Sequence, residues 1–148
     1  MLLAALATAC TSSDNTSEGT LTKLENTGGF CDGNAPWCGY DLVVSGTTVT
    51  VTSRSAPATA TGQLTAAGQA KLSDAVAQIP VDAADEVDDN CLDAPTVILH
   101  VDFDSVGART FSYSCGPGTF APLANAAESI AGDVMQGRSS ADVTVAVP

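Results

Sequence analysis

Tyr40 to Arg54, YDLVVSGTTVTVTSR, constrains the fold more than any other stretch, because it holds two alternating runs separated by Ser-Gly-Thr. A period of two puts Tyr40, Leu42 and Val44 on one face of a first strand and Val49 and Val51 on one face of a second. Gly46 supplies the positive φ that a tight hairpin turn needs. A lone hairpin is not stable in water and must cover its apolar face with further strands or a helix. The chain has 148 residues, room for one domain with one core. Its aromatic content is only 5%, so that core is built from small and β-branched side chains.

The covering elements can be read in order. Leu21 to Asn26 forms a first, poorly patterned strand that ends at Gly28-Gly29. After the hairpin, Ser55 to Thr61 reads as a connector without periodicity. Leu72, Ala75, Val76 and Ile79 recur at helical spacing, with Thr65 as N-cap and Pro80 as terminator. Thr96 to Phe103 and Arg109 to Cys115 make a second hairpin, with Val97, Leu99, Val101, Phe103, Phe111 and Tyr113 on the core side. Pro122 opens a second helix with Leu123, Ala127, Ile130 and Val134 as its stripe, and Gly137 is placed to cap it. The predicted class is α+β: one antiparallel sheet of four or five strands with two helices on one face, in the order β-ββ-α-ββ-α. Residues 21–137 form the domain and residues 138–148 a tail, although DVTVAV within the tail has strand-like alternation.

Charge excludes one class of partner. Seventeen acids against five bases leave a net charge of -12, which repels nucleic acid and anionic lipid surfaces alike. Six of the acids fall between Val81 and Pro95. Asp85, Glu86, Asp88, Asp89 and Asp93 lack the alternate spacing and central glycine of a calcium loop, so a solvated loop is the plainer reading than an ion site.

Setting Cys10 aside leaves Cys31, Cys38, Cys91 and Cys115, which can pair in three ways. Short loops favour Cys31 with Cys38 and Cys91 with Cys115, the second tying the acidic stretch to the end of a strand. Structural zinc normally uses close C-x-x-C pairs or histidines, whereas here six, 52 and 23 residues intervene between successive cysteines and there is one histidine. No metal or other cofactor is expected. That histidine, His100, lies two residues from Asp102 on an outward face, but no G-x-S-x-G supplies a nucleophile turn. A non-catalytic, monomeric binding domain follows.

Residues 1–9, MLLAALATA, run into Cys10 and a polar stretch. This resembles a bacterial lipoprotein signal, with Ala9 the small residue before a lipidated Cys10. It departs from that pattern in having its aliphatic Leu6 four positions before the cysteine and no base ahead of the apolar run. The resemblance implies a domain outside the cytoplasm, in the cell envelope, held to a membrane only by lipid, with residues 10–20 as a polar tether.

The Gly28-Gly29-Phe30 triplet after a first strand, the hairpin that follows, Leu64-Thr65 leading into a helix, and the closing strands and helix together resemble the emfourin family. Its members are small proteinaceous inhibitors of thermolysin-like metallopeptidases, and the likeness spans about Leu21 to Val134. It implies a secreted or periplasmic metallopeptidase as partner. The two disulfides, the longer loop between Phe30 and Tyr40 and the export signal are departures from the family, and no inhibitory residue carries over by motif. On this chain the preorganised candidate for contact is the loop closed by Cys31 and Cys38, with Phe30 beside it and Pro36 and Trp37 within it. A purely structural envelope lipoprotein would use the same cysteines to staple a thin core.

Overall fold

A computed structural model describes residues 17–29 and 37–147. Strands β1 (Gly19–Asn26), β2 (Tyr40–Ser45), β3 (Thr48–Ser53) and β4 (Thr59–Leu64) precede helix α1 (Ala66–Ala77). Then come β5 (Val97–Phe103), β6 (Gly107–Tyr113), a 3-10 turn (Gly118–Phe120), α2 (Ala121–Met135) and β7 (Val143–Thr144). All seven strands join one antiparallel sheet in the order β6-β5-β1-β2-β3-β4-β7. The class is α+β, as the sequence implies. Seven strands replace the expected four or five, and the order changes with them.

The two extra strands have different origins. Thr59–Leu64 begins inside the expected connector, Ser55 to Thr61, because its inward positions are Ala60, Gly62 and Leu64, with too little apolar bulk to mark a strand. Bulk is excluded there: a Cβ on Gly62 would stand 2.7 Å from a Val143 methyl and 3.0 Å from a Val134 methyl. Val143–Thr144 lies in the expected tail, pairs with Leu64 and Gln63, and buries Val143 completely. Part of residues 138–148 therefore completes the sheet, and β1 begins at Gly19, inside the stretch expected to be tether.

Both helices pack on one face. α1 lies against β1 and β4, α2 against β3 and β4, and the helices touch each other. Between them and the sheet sit Leu24, Leu42, Val49, Val51, Leu99, Phe103, Phe120 and Ile130, none more than 1% exposed. At a bulge in β1 the register passes from Leu21 opposite Val101 to Lys23 opposite His100, so Thr22 is an extra residue. That is why Leu21 and Leu24, three apart, both point into the core.

Helix ends follow local chemistry. The Thr65 side chain accepts from the Gly68 amide, capping α1. At the end of α2 the Gly137 amide donates to Val134 and the Arg138 amide to Asp133, with Gly137 at φ 64°, a Schellman closure. Arg138 turns back onto the Asp133 carboxylate at 2.6 Å and holds its pKa below the usual range, with help from Ser140. Among the described residues no helix is long and apolar enough to cross a membrane.

Candidate functional site

The chain enters β1 at one end of the sheet, where Gly19 pairs with Phe103 and the Asp104 amide donates to the Glu18 carbonyl. The tight turns at Gly46 and at residues 104–106 lie at this same end. At the opposite end, β1 finishes at Asn26, β2 begins at Tyr40, β5 begins at Val97 and β6 finishes at Tyr113. The residues following Asn26, the 78–96 segment and the 114–120 segment therefore gather at that second end, which we call the disulfide end.

The loops there are fitted to one another. Gly28, at φ 73°, lies so close to Gly39 that a Cβ would stand 3.0 Å from the Gly39 nitrogen, and a Cβ on Gly29 would overlap the Asp93 carbonyl. The double glycine that marks a turn in the sequence is thus where the loop leading to Cys38 crosses the acidic loop. Thr27 and Thr96 bind each other through three hydrogen bonds of 3.0 to 3.1 Å. The acidic loop runs beside β6. The Glu86 amide donates to Ser112, the Ser114 amide to Glu86, and Asp85 Oδ1 accepts from the Ser112 amide at 2.8 Å. The Glu86 carboxylate accepts the Thr119 amide ahead of α2, and the Ser114 hydroxyl accepts the Asp88 amide at 2.8 Å.

The disulfide Cys91–Cys115, with its Cα atoms 5.7 Å apart, fastens this loop to the end of β6, as the spacing predicts. Cys38 is also disulfide-bonded. Its expected partner Cys31 lies outside the described residues, as do Phe30, Pro36 and Cys10. Trp37 is half-buried and packs against the core, which places it as a plug at this end of the sheet. Asp88, Cys91 and Cys115 come close enough to suggest metal ligands, but both sulfurs are in the disulfide and one carboxylate remains.

Two features at this end go beyond the sequence expectation. Leu92, next to Cys91 and amid acids, is 89% exposed, and Val87 is 50% exposed. The available signal is an apolar residue beside a disulfide in a run of carboxylates, where solvation gives it no reason to be. The second is Glu128, on α2 at the margin of the buried stripe. It lies half-buried and accepts from the Tyr113 hydroxyl at 3.3 Å. Burial raises its pKa above the ordinary carboxyl value, against the opposing effect of the Tyr113 bond. Burial and the nearby Glu128 charge push the Tyr40 hydroxyl up to about 12, and the Tyr113 hydroxyl higher still. Glu128 lines a cavity of about 230 Å³ with Asn125, Tyr113, Pro95 and Pro117. A larger cavity of about 550 Å³ lies at the other end, among Leu21, Val44, Leu64 and Leu72, and has no titratable group in its wall among the described residues.

His100 belongs to a different constellation, on the open face of the sheet. Its Nε2 lies 2.6 Å from Glu25 Oε2, not beside Asp102, and Thr110 Oγ1 is 3.4 Å from its Nδ1. Glu25 also binds Lys23 at 3.0 Å and Arg54 at 2.9 Å, and Arg54 continues to Asp41 at 2.6 Å. The hydrogen bond from His100, then that from Lys23, holds the Glu25 carboxyl at about 2. Hydroxyl, imidazole and carboxylate stand here in triad order, but on a flat face. β5 is paired on both sides, by β1 and β6, so its ladder amides are engaged. An oxyanion would need free donors at that position. The constellation is a network of ion pairs and hydrogen bonds that links β1, β2 and β5 with Arg54, the residue after β3.

Comparison with protein-family models, with curated proteins and with solved structures finds no match to this chain.

Proposed function

We propose that this chain is a non-catalytic binding domain of the cell envelope, lipid-anchored through Cys10, that offers its disulfide end to a protein partner. The observation that carries the reading is the segregation of the two ends. The polypeptide enters β1 at the turn end, while the stapled loops, the exposed Leu92 and the half-buried Trp37 lie at the other. A domain tethered through its leading segment would hold that second end away from the anchor. A loop fixed by a disulfide and by bonds to β6 loses little entropy on binding, and an exposed leucine next to that disulfide is the kind of anchor a partner's pocket takes.

The partner class is taken from the emfourin resemblance: a thermolysin-like metallopeptidase, secreted or periplasmic. The contact set we assign is Leu92 with Trp37, together with the sequence candidates Phe30 and Pro36, which lie outside the described residues. Titrating the oxidised protein against such a peptidase tests this. Stoichiometric inhibition that weakens about tenfold or more in Leu92→Ala, the range of an interface anchor, supports it. Absence of inhibition at large molar excess removes the peptidase, and the structural envelope reading takes its place. Detergent phase partition of the protein and of Cys10→Ala tests the anchor separately. A wild type found in the aqueous phase sinks it.

A further inference from the structure

We propose that the cavity beside Glu128 is a subsite for one alkylammonium group, a lysine side chain of the partner, with Glu128 as its counter-charge. The inference rests on the reading of the disulfide end as the contact face. Its volume of about 230 Å³ lies below the roughly 300 Å³ at which pockets for whole small molecules begin, and suits a single side chain. The walls divide as a lysine divides. Pro95, Val97, Pro117 and the Tyr113 ring are apolar and suit a methylene stem, while Glu128 and Asn125, three residues apart on α2 and so on one face, supply a carboxylate and an amide oxygen.

The distribution of charge across the chain points the same way. Lys23 and Arg54 serve the open face, Lys71 binds Asp142 at 2.6 Å, Arg138 binds Asp133, and Arg109 donates to the Val106 and Ala108 carbonyls. Those are all five bases of the chain, and each is engaged away from Glu128. A half-buried carboxyl with one long hydrogen bond from a tyrosine has no Lys or Arg beside it, and an arriving cation would offset the cost that burial places on its charged form. The neighbouring acidic loop adds a negative potential that concentrates cations at this end of the molecule. A cationic side chain meets both conditions, and a neutral one of equal size meets neither.

The test uses Nα-acetyl-lysine N-methylamide and its norleucine counterpart as probes, titrated into the oxidised wild-type protein up to about 50 mM and followed by NMR shifts of Tyr113, Asn125 and Glu128. The lysine probe is expected to saturate with a millimolar Kd, about tenfold tighter than norleucine, and to weaken about tenfold in Glu128→Gln. Asn125→Asp, at an exposed rim position, keeps the fold and adds a second acid, so it should tighten binding several-fold at low salt. Equal binding of the norleucine probe, no saturation, or indifference to both variants overturns the subsite. If the probes fail while Leu92→Ala still disrupts binding of a partner, the contact face stands and the subsite alone falls. If the lysine probe binds as expected while Leu92→Ala leaves partner binding unchanged, the subsite stands and the contact face falls.

Discussion

Replacing Glu25 by glutamine removes the charge around which the open-face network is arranged, and the structure sets the size and the pH dependence of the loss. A carboxyl held at about 2 against an ordinary 4.5 corresponds to a ceiling of about 3 kcal/mol at neutral pH, at ~1.4 kcal/mol per unit of pKa. Water reaches this face: the Lys23, Arg54 and His100 side chains are each 34% exposed and Glu25 itself 19%. Screening lowers the expectation to ~1–2 kcal/mol, above an isolated surface pair because Lys23, Arg54 and the His100 ring share one carboxylate. The folded-state pKa lies below the unfolded one. Its contribution is therefore complete above about pH 4.5 and is lost as pH falls towards 2. Urea unfolding of both proteins from pH 7 down to about pH 2.5 reads this directly, with the midpoints separated by ~0.5–1 M at pH 7 and converging on acidification. Global charge repulsion changes with pH in both proteins alike and drops out of the difference. Identical midpoints at pH 7, or a gap that persists undiminished at low pH, would refute the reasoning.

Three further outcomes are expected. Cys91→Ser with Cys115→Ser opens a loop of sequence separation 24 and should cost roughly 3.5 kcal/mol by chain entropy, read as a Tm about 10 °C lower for a domain this size. Gly68→Ala, which would add ~1 kcal/mol to an ordinary helix, should instead destabilise by ~1–3 kcal/mol, because a Cβ there would overlap the Asp142 carbonyl; a raised Tm would contradict the contact. Gly137→Ala forces a side chain into φ 64° and should cost ~1 kcal/mol in chemical denaturation, with no change in the slope.

Legibility in the sequence tracks how local the determining physics is. The two hairpins and both helices are readable because period two and the i, i+3, i+4 spacing are set by each element's own geometry, and Thr65 and Gly137 act within one turn. β4 is hidden because its central inward residue, Gly62, must lack a side chain to admit Val134 and Val143, and the first strand looks poorly patterned because Thr22 is an insertion. At the site, the Cys91–Cys115 pairing follows from loop length. Sequence proximity points His100 to Asp102, whereas its partner Glu25 lies 75 residues away across the β1–β5 ladder, a pairing that sheet order alone decides. Glu128 has the spacing of an ordinary helix-surface acid, and only the Tyr113 and Pro95 walls, brought in from elsewhere in the chain, make its surroundings unusual.

The acidic loop laid along β6 has a bearing on how copies of this molecule meet. A sheet edge with free amides and carbonyls is a template for another strand. Here, near the disulfide end, the outward groups of Ser112 and Ser114 are already bonded by Asp85 and Glu86, and Arg109 occupies the Ala108 carbonyl further along. A second sheet approaching that border meets a fence of carboxylates. The fence is electrical as well as steric. It stands at low salt and weakens as added salt screens it, so self-association of concentrated protein should rise with ionic strength before any strand has unfolded.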